Sequence, residues 1–512
     1  MTRFLTRYPV AVAVALTVLA RLPALTRPVR ADEAGFLLVA RSWDPRPDSL
    51  FGPYWVDRPP PLIAVFSAVD ALGGVTTLRI LGALVAGLTV LLAAAVAGTI
   101  SGPRATVWTA ALVAALLSNP MIDVVAVKGE LLALPCVLGS ILLTLLAVRR
   151  RAWPIAFAAG VAAALAIGLK QNLATGLVFA GVLLLVSWWT GRLTGRASAA
   201  LAAAGLAGAA VPVLATIAWA DAAGVRLSTL WDTVYGFRAD AARVIADGTT
   251  DAPERRAWIL LAIALGTGLL LVLAGPFMRL RELWHDDPPV TAATVTVVLV
   301  DVASLAAGGS FWQDYLLPLV PGAALCTALL AGRDDRSGRT MRGLVVAAIA
   351  SAVLAMAFWL VWNATGHQEF NEVRTGEAIA ESAEPGDTLV VFGGRADLQR
   401  VSGLGSPYPY LWSLPMRTRD PGYADLTALL SGPDAPTWLV EWVDLDAWAD
   451  AGVPELRDAI DEHYVEVGTT CDDHPIYLLR GVDRPEVTPD CSGNAESAQS
   501  DPWKGHSAPT RG

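Results

Sequence analysis

The sequence contains few charged residues and few residues of the kinds that bind zinc. Asp, Glu, Lys and Arg make up 17% of the 512 residues, whereas hydrophobic residues make up 54% and the mean hydropathy is +0.49. This composition excludes an ordinary soluble protein and predicts a polytopic membrane protein. Five histidines and four cysteines are too few to indicate a zinc site or a disulfide scaffold.

The sequence also lacks a basic face and an internal repeat. Its net charge is -9, and its basic residues occur in short clusters between apolar runs. We therefore exclude nucleic acid as a partner. No segment recurs at a fixed period, which excludes a solenoid.

Long apolar windows cover most of the first 365 residues. A membrane-spanning helix needs about 20 mainly apolar residues, and the chain offers about eleven such windows. They lie near residues 9–26, 76–100, 105–119, 124–148, 152–169, 173–189, 197–219, 257–277, 289–307, 312–331 and 343–364. The fold class predicted is a polytopic α-helical membrane protein with a small C-terminal extracytoplasmic α/β domain.

Arginine clusters in every second loop predict the orientation, because basic loops prefer the cytoplasm. These residues are Arg3, Arg7, Arg104, Arg149, Arg150, Arg151, Arg192, Arg196, Arg279, Arg281, Arg333, Arg336, Arg339 and Arg342. The N-terminus is then cytoplasmic and the region after the last span is extracytoplasmic. A cleaved signal peptide is the alternative for the first window, although no clear cleavage site follows it.

Three further segments complete the predicted organisation. A long first outer loop, residues 27–75, contains apolar stretches that are too short to span and are typical of helices on the membrane surface. Residues 366–490 are predicted to form a small α/β domain, because helix-like stretches alternate with strand-like ones near residues 387–394, 437–443, 464–468 and 476–481. The tail, residues 491–512, is polar and predicted to be disordered. Cys471 and Cys491 are both in this polar C-terminal region and can pair if it is extracytoplasmic.

Charged residues gather at the predicted outer ends of the spans. The acidic members are Asp32 and Glu33 at the start of the first loop and Glu130 in the fourth window; the basic members are Arg58, Arg79, Lys128 and Lys170. Span ends that reach toward water collect single charges without a function. A mixed set at one depth instead suits a ligand with an anionic head and a reacting hydroxyl.

Each residue type in this set has a defined chemical use. Arg58, Arg79, Lys128 and Lys170 are candidates to hold a phosphate. A carboxylate can accept a hydroxyl proton while a sugar is displaced, and Asp32 with Glu33 can also hold Mg²⁺ or Mn²⁺. A third group, Trp231, Tyr235 and Arg238 in the outer loop after the seventh window, can line a substrate groove, and an interfacial aromatic belt explains its aromatic residues equally well.

Several segments together resemble the GT-C class of polyprenyl-phosphate-sugar glycosyltransferases. They are "ADEAGFLLVARSW" (31–43), "DRPPPLIAVFSAVDALGG" (57–74), "LRILGAL" (78–84), "VKGELLALP" (127–135), "GLKQNLA" (168–174), "FWQDYLLPLVPGAAL" (311–325) and the outer-domain stretch 387–415. The nearest group in the class contains the protein O-mannosyltransferases and the lipid A aminoarabinose transferase.

The resemblance implies roles for individual residues. Asp32 corresponds to the acidic residue at the catalytic centre, Glu33 to its partner and Glu130 to the acid beside the second outer loop. Arg58 corresponds to the basic residue before the paired prolines, which is usually Lys in the family. Tyr315 belongs to the aromatic-Tyr-x-x-Pro span and is a further candidate for the substrate groove.

The expected function is inverting transfer of a hexosyl or pentosyl group on the outer face of the cell membrane. The expected partners are a polyprenyl-phosphate-linked sugar, a hydroxyl acceptor on a lipid, cell-envelope glycan or protein, and membrane lipids. Two other functions stay open. A secondary transporter predicts similar halves and polar breaks near mid-membrane, and a non-catalytic subunit predicts the same fold without activity.

Overall fold

A computed structural model describes residues 2–248, 252–365, 370–448 and 451–491. The predicted disordered tail lies outside the described residues, except for Cys491, and so do residues 366–369 at the predicted domain boundary. The described chain is mainly helical, with one small sheet near its C-terminal end.

Within the described parts of residues 2–364 there are seventeen α-helices. They are α1 Thr2–Ala20, α2 Ala31–Arg41, α3 Pro60–Ala71, α4 Val75–Ser101, α5 Pro103–Leu117, α6 Gly129–Arg150, α7 Trp153–Leu169, α8 Thr175–Trp189, α9 Gly195–Ala222, α10 Leu227–Trp231, α11 Phe237–Ala246, α12 Ala252–Gly266, α13 Leu269–Met278, α14 Leu280–Asp286, α15 Pro288–Ala307, α16 Val320–Leu330 and α17 Arg336–Ala364. The 3₁₀-helices Leu22–Thr26 and Gln313–Leu319 extend α1 and α16, and the π-helix Asp232–Gly236 joins α10 to α11.

The apolar helices agree with a multi-pass membrane protein. Among the described residues, seven helical segments are long and apolar enough to cross a membrane, or eight when α12 and α13, bent by 70°, count as one span. Helices α5, α7 and α8 coincide with three more of the eleven predicted windows but are shorter. A span needs about 20 residues, and these three helices are shorter, so the number of spans stays a prediction.

Small residues let α7 and α9 approach closely. A Cβ atom added to Gly160 would lie 1.8 Å from the carbonyl oxygen of Gly205, and one added to Gly208 would lie 1.9 Å from that of Phe157. No larger residue fits between these backbones. Close packing through glycine is a common way to associate helices in a lipid environment, where the hydrophobic effect between helices is weak.

The first predicted outer loop contains α2 and α3, which pack on each other. Phe36 of α2 and Phe66 of α3 are fully buried, with ring centroids 5.2 Å apart in an edge-to-face arrangement. Both helices also contribute to the main hydrophobic core. The loop is therefore a packed layer at the end of the helical bundle, and it fixes the direction of α2.

The C-terminal region contains a four-stranded sheet with helices. Its elements are α18 Asn371–Ser382, β1 Leu389–Phe392, α19 Ala396–Ser402, α20 Ser413–Arg419, α21 Ala424–Leu430, β2 Trp438–Glu441, α22 Val453–His463, β3 Tyr464–Thr469 and β4 Pro475–Leu479. The strand order is β1-β2-β4-β3, with β1 and β2 parallel and the other pairs antiparallel. A disulfide joins Cys471 to Cys491, with Cα atoms 5.3 Å apart.

Candidate active site

The acidic pair lies in the first turn of α2. Arg30 is extended (φ -88°, ψ 156°) and caps the helix, so Asp32 and Glu33 follow at its N-terminal end, where backbone N–H groups favour carboxylates. Successive residues of a helix point about 100° apart. The two side chains therefore enter different surroundings.

Glu33 is fully buried and all its contacts are structural. Its Oε2 atom accepts hydrogen bonds from Arg79 Nη2 at 2.6 Å and from the backbone N–H of Arg30 at 3.1 Å. Its Oε1 atom accepts one from the N–H of Val127 at 2.8 Å. The predictions of Glu33 as a catalytic or metal-binding group and of Arg79 as a phosphate ligand do not agree with this geometry, because these groups satisfy each other away from solvent.

Asp32 is accessible and bound on both oxygens. Its side chain is 30% exposed, and Oδ2 lies 2.7 Å from Lys128 Nζ. Its Oδ1 atom accepts a hydrogen bond from the indole N–H of Trp412 at 2.9 Å. Lys128, in turn, lies 3.4 Å from Oδ1 of Asp314. Lys128 thus bridges two carboxylates, Asp32 and Asp314, that are far apart in the sequence.

A second ion pair joins the fourth and fifth predicted windows. Lys170, which follows α7, lies with Nζ 2.5 Å from Oε1 of Glu130 in the first turn of α6. Its ammonium also lies 5.7 Å from the ring centroid of Tyr315. The sequence has three lysines, Lys128, Lys170 and Lys504. The first two are both here, and this scarcity is a signal that sequence reasoning did not use.

Asp57 forms ion pairs with two arginines. They are Arg58, its neighbour in the chain, and Arg238 of α11. Gln171 donates to the backbone carbonyl oxygens of Asp57 at 2.8 Å and Val234 at 3.4 Å. These bonds connect the first predicted outer loop to the segment that follows α9.

Eight ionisable residues therefore meet at one end of the bundle, and we call them the charged cluster. They are Asp32, Asp57, Arg58, Lys128, Glu130, Lys170, Arg238 and Asp314. Six of them were predicted site residues. Asp57 and Asp314 were missed, although each directly precedes a predicted one in "VDRPPPL" and "WQDYLLP".

Opposite charges are unevenly distributed within the cluster. Arg58 and Arg238 share one carboxylate, Asp57, which leaves a positive excess. On the other side Asp32 and Asp314 share one cation, Lys128, which leaves a negative excess. An incoming anion is therefore favoured near Arg58 and Arg238, which we call the arginine side of the cluster. A group that donates a proton is favoured near Asp32 and Asp314, which we call the carboxylate side.

Ion pairing determines the charge states at this site. Burial raises the pKa of Asp32, but the Lys128 ammonium, the nearby Arg58 and the Trp412 hydrogen bond outweigh burial, so the pKa lies well below its ordinary value. Burial lowers the pKa of Lys128, whereas Asp314, Asp32 and other carboxylates raise it well above its ordinary value. Asp32 is consequently an anion and Lys128 a cation near neutral pH.

Trp231 and Tyr235 lie apart from these ion pairs on an exposed surface. Their rings are tilted by 37° to each other with centroids 5.1 Å apart, and Trp231 is 67% exposed. This exposure suits an interfacial aromatic belt at least as well as the predicted groove. Only Arg238, the third predicted member of that group, reaches the cluster.

The predicted Mg²⁺ or Mn²⁺ site at Asp32 and Glu33 does not fit the residues present. The Glu33 oxygens are occupied by Arg79 and backbone N–H groups, and the Asp32 oxygens by Lys128 and Trp412. Over the described ranges, no three His, Cys, Asp or Glu side chains lie together as metal ligands. A pair of carboxylates that diverge cannot chelate one ion.

No protein-family model matches the chain, and no curated protein matches it in sequence. The crystal structure of ArnT from Cupriavidus metallidurans bound to undecaprenyl phosphate is similar in fold, with a TM-score of 0.59 and 14% identity over 91% of this chain and 97% of ArnT. The apo state of ArnT has a TM-score of 0.57 and 15% identity over the same shares of the two chains.

A third solved structure is more distant. The apo oligosaccharyltransferase of Archaeoglobus fulgidus has a TM-score of 0.52 and 12% identity, and the match covers 93% of this chain and 75% of that one. The resemblance noted in the sequence is thereby confirmed at the level of the fold. The chain has the fold of the GT-C membrane glycosyltransferases.

Proposed function

We propose that this protein transfers a sugar, with inversion, from a polyprenyl phosphate to a hydroxyl acceptor on the outer face of the membrane. The observation that carries the proposal is the charged cluster, in which two arginines that share one carboxylate lie near two carboxylates that share one lysine. The fold supports the donor class, since ArnT, which has the same fold, was solved with undecaprenyl phosphate.

The donor phosphate binds on the arginine side. Arg58 and Arg238 already bind a carboxylate, Asp57, and a guanidinium that binds a carboxylate presents the same paired donors to a phosphate. Lys170 lies within electrostatic reach of both arginines and adds positive charge. The polyprenyl chain of the donor then extends into the lipid beside the helices.

The acceptor hydroxyl binds on the carboxylate side, next to Asp32. Its oxygen attacks the anomeric carbon from the face opposite the phosphate and forms the new C–O bond. The bond from the anomeric carbon to the phosphate oxygen breaks, and the electron pair leaves with the polyprenyl phosphate. The hydroxyl proton moves to Asp32, which balances the reaction.

The low pKa of Asp32 determines when the proton moves. A carboxylate paired with Lys128 is a weak base and cannot deprotonate a free alcohol. As the new bond forms, the attacking oxygen becomes positively charged and far more acidic. Asp32 therefore accepts the proton late and orients the hydroxyl before that.

The acceptor that we propose is a hydroxyl of a lipid, a cell-envelope glycan or a protein, and the transferred group is a hexosyl or pentosyl residue. A divalent cation stays a prediction without an assigned site, since the Asp32 and Glu33 oxygens have other partners, and no step of the proposed reaction uses a metal.

Reconstituted full-length protein tests this function. Liposomes would receive a panel of polyprenyl-phosphate hexoses and pentoses with membrane extract as acceptor, and mass spectrometry would follow the release of polyprenyl phosphate. We expect wild type to consume at least one donor and Asp32→Asn to be about a hundredfold slower, because the base is lost.

Asp70→Asn is the matched control. Asp70 is another ion-paired carboxylate of the same predicted loop, 2.9 Å from Arg41, and it is not a member of the charged cluster. Its variant should keep the wild-type rate. Equal rates for Asp32→Asn and wild type in well-folded protein would refute the proposal, and so would the absence of release from every donor.

A further inference from the structure

A side chain of the C-terminal region, Trp412, contacts the charged cluster. Trp412 directly precedes α20, and its indole N–H donates to Oδ1 of Asp32 across 380 positions of sequence. Lys128 occupies the other oxygen, Oδ2. The carboxylate of Asp32 is therefore held from two sides, by a cation from the bundle and by a neutral donor from the outer region.

The local sequence on both sides is adapted to this indole. A Cβ atom added to Gly35, one helical turn after Asp32, would lie 2.2 Å from the Trp412 ring. Gly394 has φ +73°, and a Cβ atom there would lie 2.6 Å from the Trp412 backbone. The ring of Phe36 lies 5.6 Å from that of Trp412. Because Gly35 and Gly394 have no side chains, Trp412 can pack directly against α2.

Further bonds fix the same segment over the bundle. The Tyr54 hydroxyl accepts a hydrogen bond from the N–H of Ser406 at 3.0 Å, and the carbonyl oxygen of Pro409 accepts one from the N–H of Trp55, also at 3.0 Å. Arg419 forms an ion pair of 2.6 Å with Asp232 on the π-helix. The position of Trp412 is therefore determined by several contacts and not by its own bond alone.

We infer that Trp412 is a positioning residue for the transfer reaction, which orients the Asp32 carboxylate toward the acceptor hydroxyl. Each carboxylate oxygen accepts about two hydrogen bonds. With Trp412 on one oxygen and Lys128 on the other, the carboxylate cannot rotate freely, and the lone pair that remains on each oxygen keeps a fixed direction. The inference rests on the proposed function, and it makes the outer region a part of the active site.

A positioning role has a kinetic consequence that packing does not have. Loss of the indole N–H leaves the donor site at Arg58 and Arg238 unchanged, so the KM for the donor should not change. The carboxylate becomes free to rotate, and kcat should fall about tenfold, the lower end of the effects expected for a hydrogen bond to a charged group. In a protein without the base, the same loss should have no effect.

The experiment compares Trp412→Phe and Trp438→Phe in the wild-type and Asp32→Asn backgrounds. Trp438 is the matched control, because its indole N–H also donates to a carboxylate, Oδ2 of Asp387, at 3.1 Å within the sheet. Steady-state kinetics gives kcat and KM for the donor that wild type uses. The midpoint of thermal unfolding in detergent shows whether each variant is folded and as stable as wild type.

The expected result is a tenfold lower kcat with unchanged KM for Trp412→Phe, no change for Trp438→Phe, and no further loss for Trp412→Phe in Asp32→Asn. A tenfold loss that persists in Asp32→Asn would overturn the inference, as would equal kinetics for the two Phe variants. If Trp412→Phe does not fold, Gly35→Ala displaces the indole and should give the same loss. Wild-type kcat in Gly35→Ala would then overturn the inference.

Failure of this inference is distinguishable from failure of the proposed function. A wild-type rate in Asp32→Asn refutes the proposed function whatever Trp412 does. A slow Asp32→Asn protein in which the Trp412→Phe effect is undiminished leaves the proposed function intact and removes only the positioning role.

Discussion

The carboxylates of Asp32 and Glu33 belong to adjacent residues and have opposite surroundings. Asp32 is partly exposed and faces Lys128 and Trp412, whereas Glu33 has no exposed surface and faces Arg79. The helical turn between them directs one side chain into the charged cluster and the other into the bundle. A pair that reads as one acidic motif therefore contains one candidate base and one structural anchor.

The buried ion pair of Glu33 and Arg79 leads to a prediction about the stability of the protein. Glu33→Gln leaves the Arg79 guanidinium buried without its counter-ion, and we expect a loss of about 3 to 5 kcal/mol. Thermal unfolding in detergent would show it as a lower midpoint. The double variant Glu33→Gln with Arg79→Met removes both charges and should recover part of the loss. A stable but inactive Glu33→Gln protein would instead make Glu33 a catalytic group.

The arrangement of Arg58 and Arg238 around Asp57 leads to a prediction about the affinity for the donor. Arg58→Ala should weaken binding of undecaprenyl phosphate by about 1.5 to 3 kcal/mol, and Arg58→Lys should weaken it less. Asp57→Asn should have the opposite sign, because it removes the carboxylate that competes for Arg58 and Arg238. Titration of each purified variant with the lipid measures this. Unchanged affinity in all three variants would remove Arg58 from the donor site.

The lowered pKa of Asp32 makes a prediction about pH. Its pKa lies below the ordinary value of 3.8, so Asp32 stays ionised and kcat should have no acidic limb from about pH 5 to 8. The stability that its ion pair contributes is present above that ordinary value and is lost as the pH falls through the lowered pKa. Lys128→Gln removes the main cation and should move an acidic limb upward. An acidic limb near pH 6 that disappears in Asp32→Asn would contradict this assignment.

The alternating arginine clusters make a prediction about orientation. A reporter that is active only outside the cytoplasm should be active when fused after Thr365 and inactive when fused after Arg150. Activities of the two fusions in whole cells measure this, with expression of both checked by immunoblot. The reverse pattern would direct the charged cluster to the cytoplasm and would exclude transfer on the outer face.

Much of the fold follows from local sequence patterns. Each apolar window coincides with a helix or a helix pair, and the strand-like stretches near residues 387–394 and 437–443 form the parallel pair β1 and β2. Burial of apolar residues is non-directional and depends on composition over a few turns, so it can be read along the chain. Charges at window ends were predicted to lie at one depth, which stays a prediction, and the structure places Lys128, Glu130 and Lys170 in neighbouring ion pairs.

Which polar residues contact each other could be determined only from the tertiary structure. No local pattern indicates that Glu33 turns toward Arg79, because the direction of α2 depends on its packing against α3. None indicates that Trp412 reaches Asp32 from 380 residues away, because that hydrogen bond exists only after the C-terminal region has packed on the bundle. Hydropathy and charge along the chain thus determined where it forms helices and where polar groups collect. Packing decided which of those groups face each other, since a hydrogen bond needs both partners within about 3 Å and in the right direction.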